Sequence, residues 1–338
     1  MANKNILVTG GAGFIASNFI PFFLKENVNY TVINLDKLTY AGNKDNLIEL
    51  ENNDRYKFIK GDICNAALVL DIFEKNEING LIHFAAESHV DNSIDNPENF
   101  IRTNINGTFV LLEMARKCWM DAPHKYKKGF EDARFHHIST DEVYGSLGNK
   151  GFFNEKTAYA PNSPYSASKA ASDFLVRSYH HTYGLNVVTS NCSNNYGPKQ
   201  HDEKLIPTII RKALAKESIP IYGDGSNVRD WLFVEDHCKG IATIFKNGES
   251  GETYLLGGSS ERTNMEIVNS ICEILDANYP KRDGSYKEQI TFVKDRPGHD
   301  LRYAVDFAKV KKELGWFPKE DFKSGLKKTV AWYLKKYT

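Results

Sequence analysis

The sequence predicts an α/β fold: a doubly wound parallel sheet followed by a smaller carboxyl-terminal α/β region. Three observations lead there. Short β-branched or aromatic runs alternate with helix-length segments through the first half of the chain, and a glycine-rich turn joins the first run to the first helix. After about Asn195 the alternation is lost among Pro198, Pro207, Pro220, Gly223 and Gly225.

Taken in order, residues 6–8, 31–35, 56–59, 80–84, 135–138 and 187–190 read as strands, each brief and bounded by Gly, Asp or Asn. Between them, 13–26, 99–118 and 165–183 have helix length. This alternation predicts a parallel sheet with helices on both faces. Ligands bind such sheets beyond the carboxyl ends of the strands. Later, 251–256 reads as a strand, 264–275 as a helix and 281–285 as a surface loop. This later region is expected to cover the active edge of the sheet.

Composition narrows the function. The 338 residues carry 43 Lys and Arg against 43 Asp and Glu, a net charge of zero. That argues against non-specific nucleic-acid or anionic-membrane binding, both of which need a basic field. Hydrophobic residues at 41% and charged residues at 25% are the balance of a globular protein with one large domain or two fused ones. No apolar run approaches the roughly 18 residues that span a membrane. The amino terminus enters a strand pattern at Asn5 without a targeting segment. The odd set of Cys64, Cys118, Cys192, Cys238 and Cys272 has no CxxC and no His cluster at zinc spacing. It reads as reduced thiols in a cytoplasmic protein, with no metal site.

The run Thr9-Gly10-Gly11-Ala12-Gly13-Phe14-Ile15-Ala16 lies between strand and helix, the context of a dinucleotide fingerprint. Gly10 permits the tight turn and Gly13 lets backbone approach a pyrophosphate at the positive helix end. Ala16 stands where a third Gly is common. Asp36 ends the second strand, 23 residues after Gly13. It can bond ribose hydroxyls and favour NAD over NADP, although Lys37 beside it could accommodate a phosphate; the alternative for Asp36 is a turn or cap. Asp62 can similarly reach an adenine amino group.

Tyr165 and Lys169 stand four residues apart at a helix start, on one face. An ammonium there is expected to lower the tyrosine pKa, so that Tyr165 takes a proton from a sugar hydroxyl. Thr140-Asp141-Glu142 follows a strand, and Thr140 can share a sugar oxygen with Tyr165. The adjacent carboxylates are either acids favoured in a helix first turn or an acid and a base with separated pKa values.

These runs and the two-region layout resemble the extended short-chain dehydrogenase/reductase family of nucleotide-sugar enzymes. Within it, the chain is similar to the dTDP-glucose 4,6-dehydratases through 85–91, 139–145, 191–198, 203–207, 222–225, 229–231, 234–237 and 295–299. Asn92 departs from the pattern, where Arg is expected. The resemblance implies a Rossmann domain over 1–193, with a returning segment near 232–256. A nucleotide-sugar region would then cover 194–231 and 257–338.

It further implies tightly held NAD and a redox-neutral elimination. Tyr165 would deprotonate the C4 hydroxyl of dTDP-glucose as hydride leaves C4. Glu142 would remove the C5 proton, Asp141 would protonate the departing C6 hydroxyl, and hydride would return to C6. Around the cofactor it assigns Gly10, Gly13, Phe14, Ile15, Asp36, Lys37, Leu38, Thr39, Asp62 and Ile63, with Ala85, Ala86, Ser88, Thr103, Tyr165, Lys169 and Asn195. Around the nucleotide sugar it assigns His89, Thr140, Asn194, Glu203, Lys204, Leu205, Pro220, Tyr222, Arg229, Asn264, Asp295, Arg296 and His299. Arg229 is given the pyrophosphate, which suits a planar guanidinium. Helices 97–118 and 165–183 would meet a partner's in a homodimer.

Three alternatives remain at this point: a UDP-glucose 4,6-dehydratase, a nucleotide-sugar 4-epimerase, and a dinucleotide-sensing regulator. The acidic pair disfavours the epimerase, and Tyr165 with Lys169 disfavours the regulator.

Overall fold

The computed structural model describes residues 4–295 and 297–338. Strands β1 (Lys4–Thr9), β2 (Tyr30–Asp36), β3 (Tyr56–Lys60), β4 (Ile78–His83), β5 (Arg134–Thr140) and β6 (Val187–Cys192) follow one another along the first half. Helices α1 (Phe14–Glu26), α2 (Ala66–Lys75), α3 (Thr108–Trp119) and α4 (Pro164–Tyr183) connect them. Then come β7 (Asn194–Tyr196), α5 (Leu205–Leu214), β8 (Ile219–Tyr222), β9 (Val228–Phe233), α6 (Val234–Asn247) and β10 (Thr253–Leu256). β11 (Glu261–Thr263), α7 (Asn264–Asn278), β12 (Ile290–Val293) and α8 (Phe322–Tyr337) complete the elements used below.

The main sheet has seven strands in the order β10-β6-β5-β4-β1-β2-β3, all parallel. The chain winds outward from β1 to β3, then restarts at β4 on the other side, so strand order reverses between β1 and β4. Alternation along β1 sends Ile6 and Val8 into one core and Leu7 into the other. The first core packs α1 and α6 through Phe19, Ile20, Phe23 and Ile241; the second packs α2 to α4 through Val69, Leu111, Trp119 and Val176. Each such buried side chain is worth about 1.5–3 kcal/mol.

The carboxyl-terminal region has its own core around Tyr196, Ile209, Trp231, Ile271 and Val330. β9 pairs in parallel with β7 and antiparallel with β11, and β8 pairs with β12. The sequence signal for a strand at 251–256 is met by β10, which returns to the main sheet. No helix among the described residues is long and apolar enough to cross a membrane.

One helix differs from its expected form. The span 99–118 is interrupted by a π-helical turn, Ile101–Gly107, ahead of α3. The cause is Asn104, whose side chain is drawn inward: it accepts from Glu87 N–H and donates to Glu87 O and Ser168 Oγ. The α4 helix begins at a Ser163–Ser166 capping box with Pro164 at its first turn, and ends at Gly184 with φ 72°.

At the reversal point, Gly10 has φ +72°, and a Cβ there would come within 2.7 Å of Ala85 backbone. Gly10→Ala should therefore destabilise the protein by at least the ~1–2 kcal/mol of a left-handed L-residue, read as a lower melting temperature. Gly148→Ala, with open space around it, is the control and should stay within about 0.5 kcal/mol.

Candidate active site

The carboxyl ends of the sheet strands open into a cleft of about 310 Å³. Its floor is the loop between β1 and α1. Gly13 sits at the amino end of α1, where an added Cβ would meet only Gly10 O, at 3.2 Å. The loop is held from behind: Gly11 N–H donates to Asn34 Oδ1 at 3.0 Å and Ala12 N–H to Asp36 Oδ2 at 2.9 Å. Asp36 also accepts from Leu38 N–H at 2.7 Å. Its carboxylate thus performs the turn role considered from sequence while also lining the cleft. Burial pushes its carboxyl up, against those two N–H groups. An exposed backbone at a helix amino terminus, with a carboxylate at the end of β2, fits a dinucleotide.

The residues read as cofactor-binding come together here. All but Leu38, whose φ is +55°, line the cleft: Gly10, Gly13, Phe14, Ile15, Asp36, Lys37, Thr39, Asp62, Ile63, Ala85, Ala86, Ser88, Thr103, Tyr165, Lys169 and Asn195. Lys37 Nζ lies 2.9 Å from Asp62, with Arg102 3.5 Å away on the same carboxylate. Burial acts to raise Asp62, but the Cys64 N–H and Lys37 outweigh it and hold the carboxyl below its ordinary range. Lys37 is thereby engaged by an anion within the chain.

Thr140, Asp141, Glu142, Tyr165 and Lys169 share the same cleft. Thr140 ends β5 and caps the turn Asp141–Tyr144 by accepting Glu142 N–H at 3.2 Å. Asp141 is 2% exposed and its Oδ2 has no hydrogen-bond partner. Burial, then the charges of Glu142 and Asp230, push its carboxyl well above the ordinary range.

The expected lowering of Tyr165 is not what this cleft produces. Burial and the Glu142 charge hold the phenol well above its ordinary value, against the Thr140 hydroxyl. Lys169 Nζ donates instead to Ile138 O at 2.8 Å, and burial brings the ammonium down to about 8.

Of the residues assigned to a nucleotide sugar, Thr140, Asn194, Glu203 and Lys204 line the cleft. Lys204 Nζ donates to Ser88 O at 2.9 Å, and Leu205 follows as the first residue of α5. Polar contacts continue outward: His89 lies 3.9 Å from Glu203 and 3.8 Å from Asp91, and Tyr222 OH donates to Asp91 at 3.2 Å. The Tyr222 ring meets His299, which pairs with Asp295 at 2.6 Å. Pro220 lies on β8 and Asn264 opens α7, both away from the cleft lining. Arg229 is buried, bonded to Val228 O, Leu301 O and Asp300 O and stacked 4.3 Å from the Tyr303 ring. Arg296 lies outside the described residues. Asn92 lines a neighbouring cavity with Tyr40 and Arg102.

Sequence reasoning passed over Glu87, Cys192, Ser193, Gln200 and His201, which also line the cleft. Glu87 and Cys192 sit inside or beside runs already singled out, at strand ends where a polar residue is itself the signal. All five cysteines are free thiols; Cys192, Cys238 and Cys272 are buried, and Cys64 and Cys118 partly so.

Comparison with known proteins gives a consistent result. Residues 7–329 match the family model described as GDP-mannose 4,6 dehydratase. A dTDP-glucose 4,6-dehydratase of Xanthomonas campestris is 55% identical over 98% of this chain and 93% of its own. The crystal structure of a dTDP-glucose 4,6-dehydratase from Bacillus anthracis in complex with NAD is 43% identical, with a TM-score of 0.86 over 98% of this chain and 97% of its own. That of a Streptomyces venezuelae dTDP-glucose 4,6-dehydratase with NAD bound is 42% identical, with a TM-score of 0.88 over the same shares.

The raised carboxyl of Asp141 has a consequence for stability. In the unfolded chain this group ionises in the ordinary carboxyl range, whereas in the fold it ionises well above that range. Stability present below that range is therefore lost as pH rises toward the folded value. Asp141→Asn removes the penalty, so its melting temperature should exceed that of the parent, by more at about pH 8 than at about pH 5. Equal gains at both pH values would contradict the raised carboxyl.

Proposed function

The chain belongs to the GDP-mannose 4,6 dehydratase family, among the dTDP-glucose 4,6-dehydratases of the extended short-chain dehydrogenase/reductases, and we propose from that premise how its own residues divide the work. It is a hydro-lyase with NAD as cofactor, removing water from dTDP-glucose to leave a 4-keto-6-deoxy sugar. When bound, NAD supplies the acceptor for the C4 hydride and the donor for C6, so no net oxidation results.

The glycine loop from Gly10 to Gly13 would hold the pyrophosphate, Asp36 the ribose hydroxyls, and Asp62 with Ile63 the adenine. Tyr165 would take the proton from the C4 hydroxyl in its phenolate form, which the Thr140 hydroxyl, the Lys169 ammonium and bound NAD⁺ would have to favour against burial and the Glu142 charge. A C4 ketone acidifies C5–H, which Glu142 would remove while Asp141 protonates the departing C6 oxygen, and a proton would return to C5 as hydride reaches C6. Loss of water across C5–C6 needs a base and an acid held side by side. The observation that carries this reading is the adjacent pair at the end of β5: Asp141 buried, with its carboxyl raised well above the ordinary range, and Glu142 only partly buried and facing the same cleft. A 4-epimerase only oxidises and re-reduces C4 and needs no such pair.

Asn194, Glu203, Lys204, His89, Tyr222, Arg229 and the segment from Asp295 to His299 are read as the nucleotide-sugar site. Residues 1–193 with 232–256 form the cofactor domain in this reading, which the return of β10 to the main sheet supports. The free thiols suit the cytoplasm. A homodimer is supported by large apolar side chains left exposed on the two helical segments: Ile101 (52%), Phe109 (47%) and Phe174 (57%).

Incubation with dTDP-glucose in deuterated water should yield a ketone carrying deuterium at C5; neither ketone nor label would remove the dehydratase reading. Glu142→Gln should oxidise C4 and stop there, seen as accumulated NADH, whereas full dehydration would take the base role from Glu142. Phe174→Glu should shift the sedimentation mass from dimer toward monomer; an unchanged mass would exclude this face.

A further inference from the structure

Helix α4 presents Tyr165, Lys169 and Asp173 at successive i, i+4 positions, so the three stand on one face. Tyr165 and Lys169 line the cleft, whereas Asp173 lies in the interior, 5% exposed. A carboxylate so placed is rare unless partnered. Tyr159 OH donates to Asp173 Oδ2 at 2.8 Å and Asn191 Nδ2 at 3.2 Å. Asp173 Oδ1 is 3.1 Å from His137 Nε2, and that same nitrogen is 3.4 Å from Lys169 Nζ. His137 is fully buried, wedged between carboxylate and ammonium.

We propose that Asp173, with His137 set between them, is a positioning residue: the buried counter-charge that keeps Lys169 an ammonium and aims it into the cleft. The proposal rests on the dehydratase reading, in which Lys169 serves Tyr165.

An isolated buried lysine sheds its proton. Burial draws Lys169 down to about 8, and Asp173 is the carboxylate that opposes it. Burial acts to raise Asp173, but its contacts with His137 and the Lys169 charge hold it below the ordinary range, so it is ionised. Burial and the Lys169 charge bring His137 to about 4, so the ring is neutral near pH 7. Its Nδ1 has no partner.

The other groups around Lys169 supply no negative charge near neutrality. Cys192 on β6 and Tyr165 on α4 are held protonated by burial, and His83 on β4 is held neutral by burial and by its cationic neighbours.

The test is an NMR titration of the NAD-bound enzyme with lysine labelled at Cε, the Lys169 signal being the one missing from Lys169→Met. In Asp173→Asn its midpoint should fall by at least about one pH unit, a tenfold loss in the ammonium-to-amine ratio. The rate of C4 oxidation near neutral pH should fall with it while KM for dTDP-glucose holds, because Asp173 does not line the cleft. Asp173→Glu, which keeps the charge, should restore part of both.

Tyr159→Phe removes one donor from Asp173, leaving its charge less neutralised, and should move the Lys169 midpoint upward. Opposite shifts in Asp173→Asn and Tyr159→Phe support the proposal; an unmoved midpoint in Asp173→Asn, or shifts of one sign in both, overturns it. Should Asp173→Asn not fold, Tyr159→Phe decides alone, an upward shift supporting and any other result overturning. The titration needs no turnover, so a chain that left dTDP-glucose unchanged would defeat the dehydratase reading without deciding this one.

Discussion

Burying the Lys169 ammonium is the constraint on which the rest of the cleft depends. The group is 3% exposed, and desolvation of an unpaired ammonium in a protein interior costs several kcal/mol. The fold meets that cost locally. Ile138 turns a carbonyl toward Nζ from the end of β5, and His137 and Asp173 stand beneath. β5 must therefore carry polar residues where a central strand is usually apolar, and its run Phe135-His136-His137-Ile138-Ser139-Thr140 is the result. His136 finds Ser190 on β6, and His83 on β4 bridges Thr9 and Thr108. At the centre of the sheet these hydrogen-bonded polar side chains are thus set among apolar strand residues such as Leu81, Phe135 and Val188.

The same dry interior separates two neighbouring carboxylates. Asp141 and Glu142 are adjacent in sequence, but the turn capped by Thr140 sends Asp141 inward and leaves Glu142 only partly buried. Burial and the Glu142 charge then act in one direction on Asp141 and hold its carboxyl well above the ordinary range. Two similar side chains thus differ because the backbone gives them different surroundings.

Much of this was legible in the residues themselves. The strand runs 6–8, 31–35 and 135–138 fall within β1, β2 and β5 because strands covered by helices on both faces read as short, nearly continuous buried runs. Gly10 and Gly13 were readable because a tight turn and a close backbone approach admit few other residues. Asp173 was not, although an acid eight residues after Tyr165 on a helix's buried face is a signal of its own. Spacing alone does not say which face is buried; that depends on β5 and β6 arriving from elsewhere in the chain. The π-helical turn at Ile101–Gly107 escaped for the same reason, since Asn104 is drawn inward by Glu87 and Ser168, distant in sequence. The local rule that Lys169 lowers Tyr165 fails here because burial and the Glu142 charge, both set by tertiary packing, raise the phenol.

The two regions also meet in the electrostatics of Asp141. Asp230, on β9 of the smaller region, is one of the charges that raise it. Asp230 is itself 2% exposed and is held by Gly258 N–H at 2.9 Å and Ser260 N–H at 2.7 Å, from the loop after β10. That loop runs so close that a Cβ on Gly258 would lie 1.8 Å from Trp231 O. The last strand of the main sheet therefore leads into the glycine turn that fixes an anion of the second region behind a carboxyl of the first. The carboxyl at the end of β5 is raised first by burial and by its neighbour Glu142, and the second region brings opposed charges to it, Asp230 raising it and Arg229 lowering it.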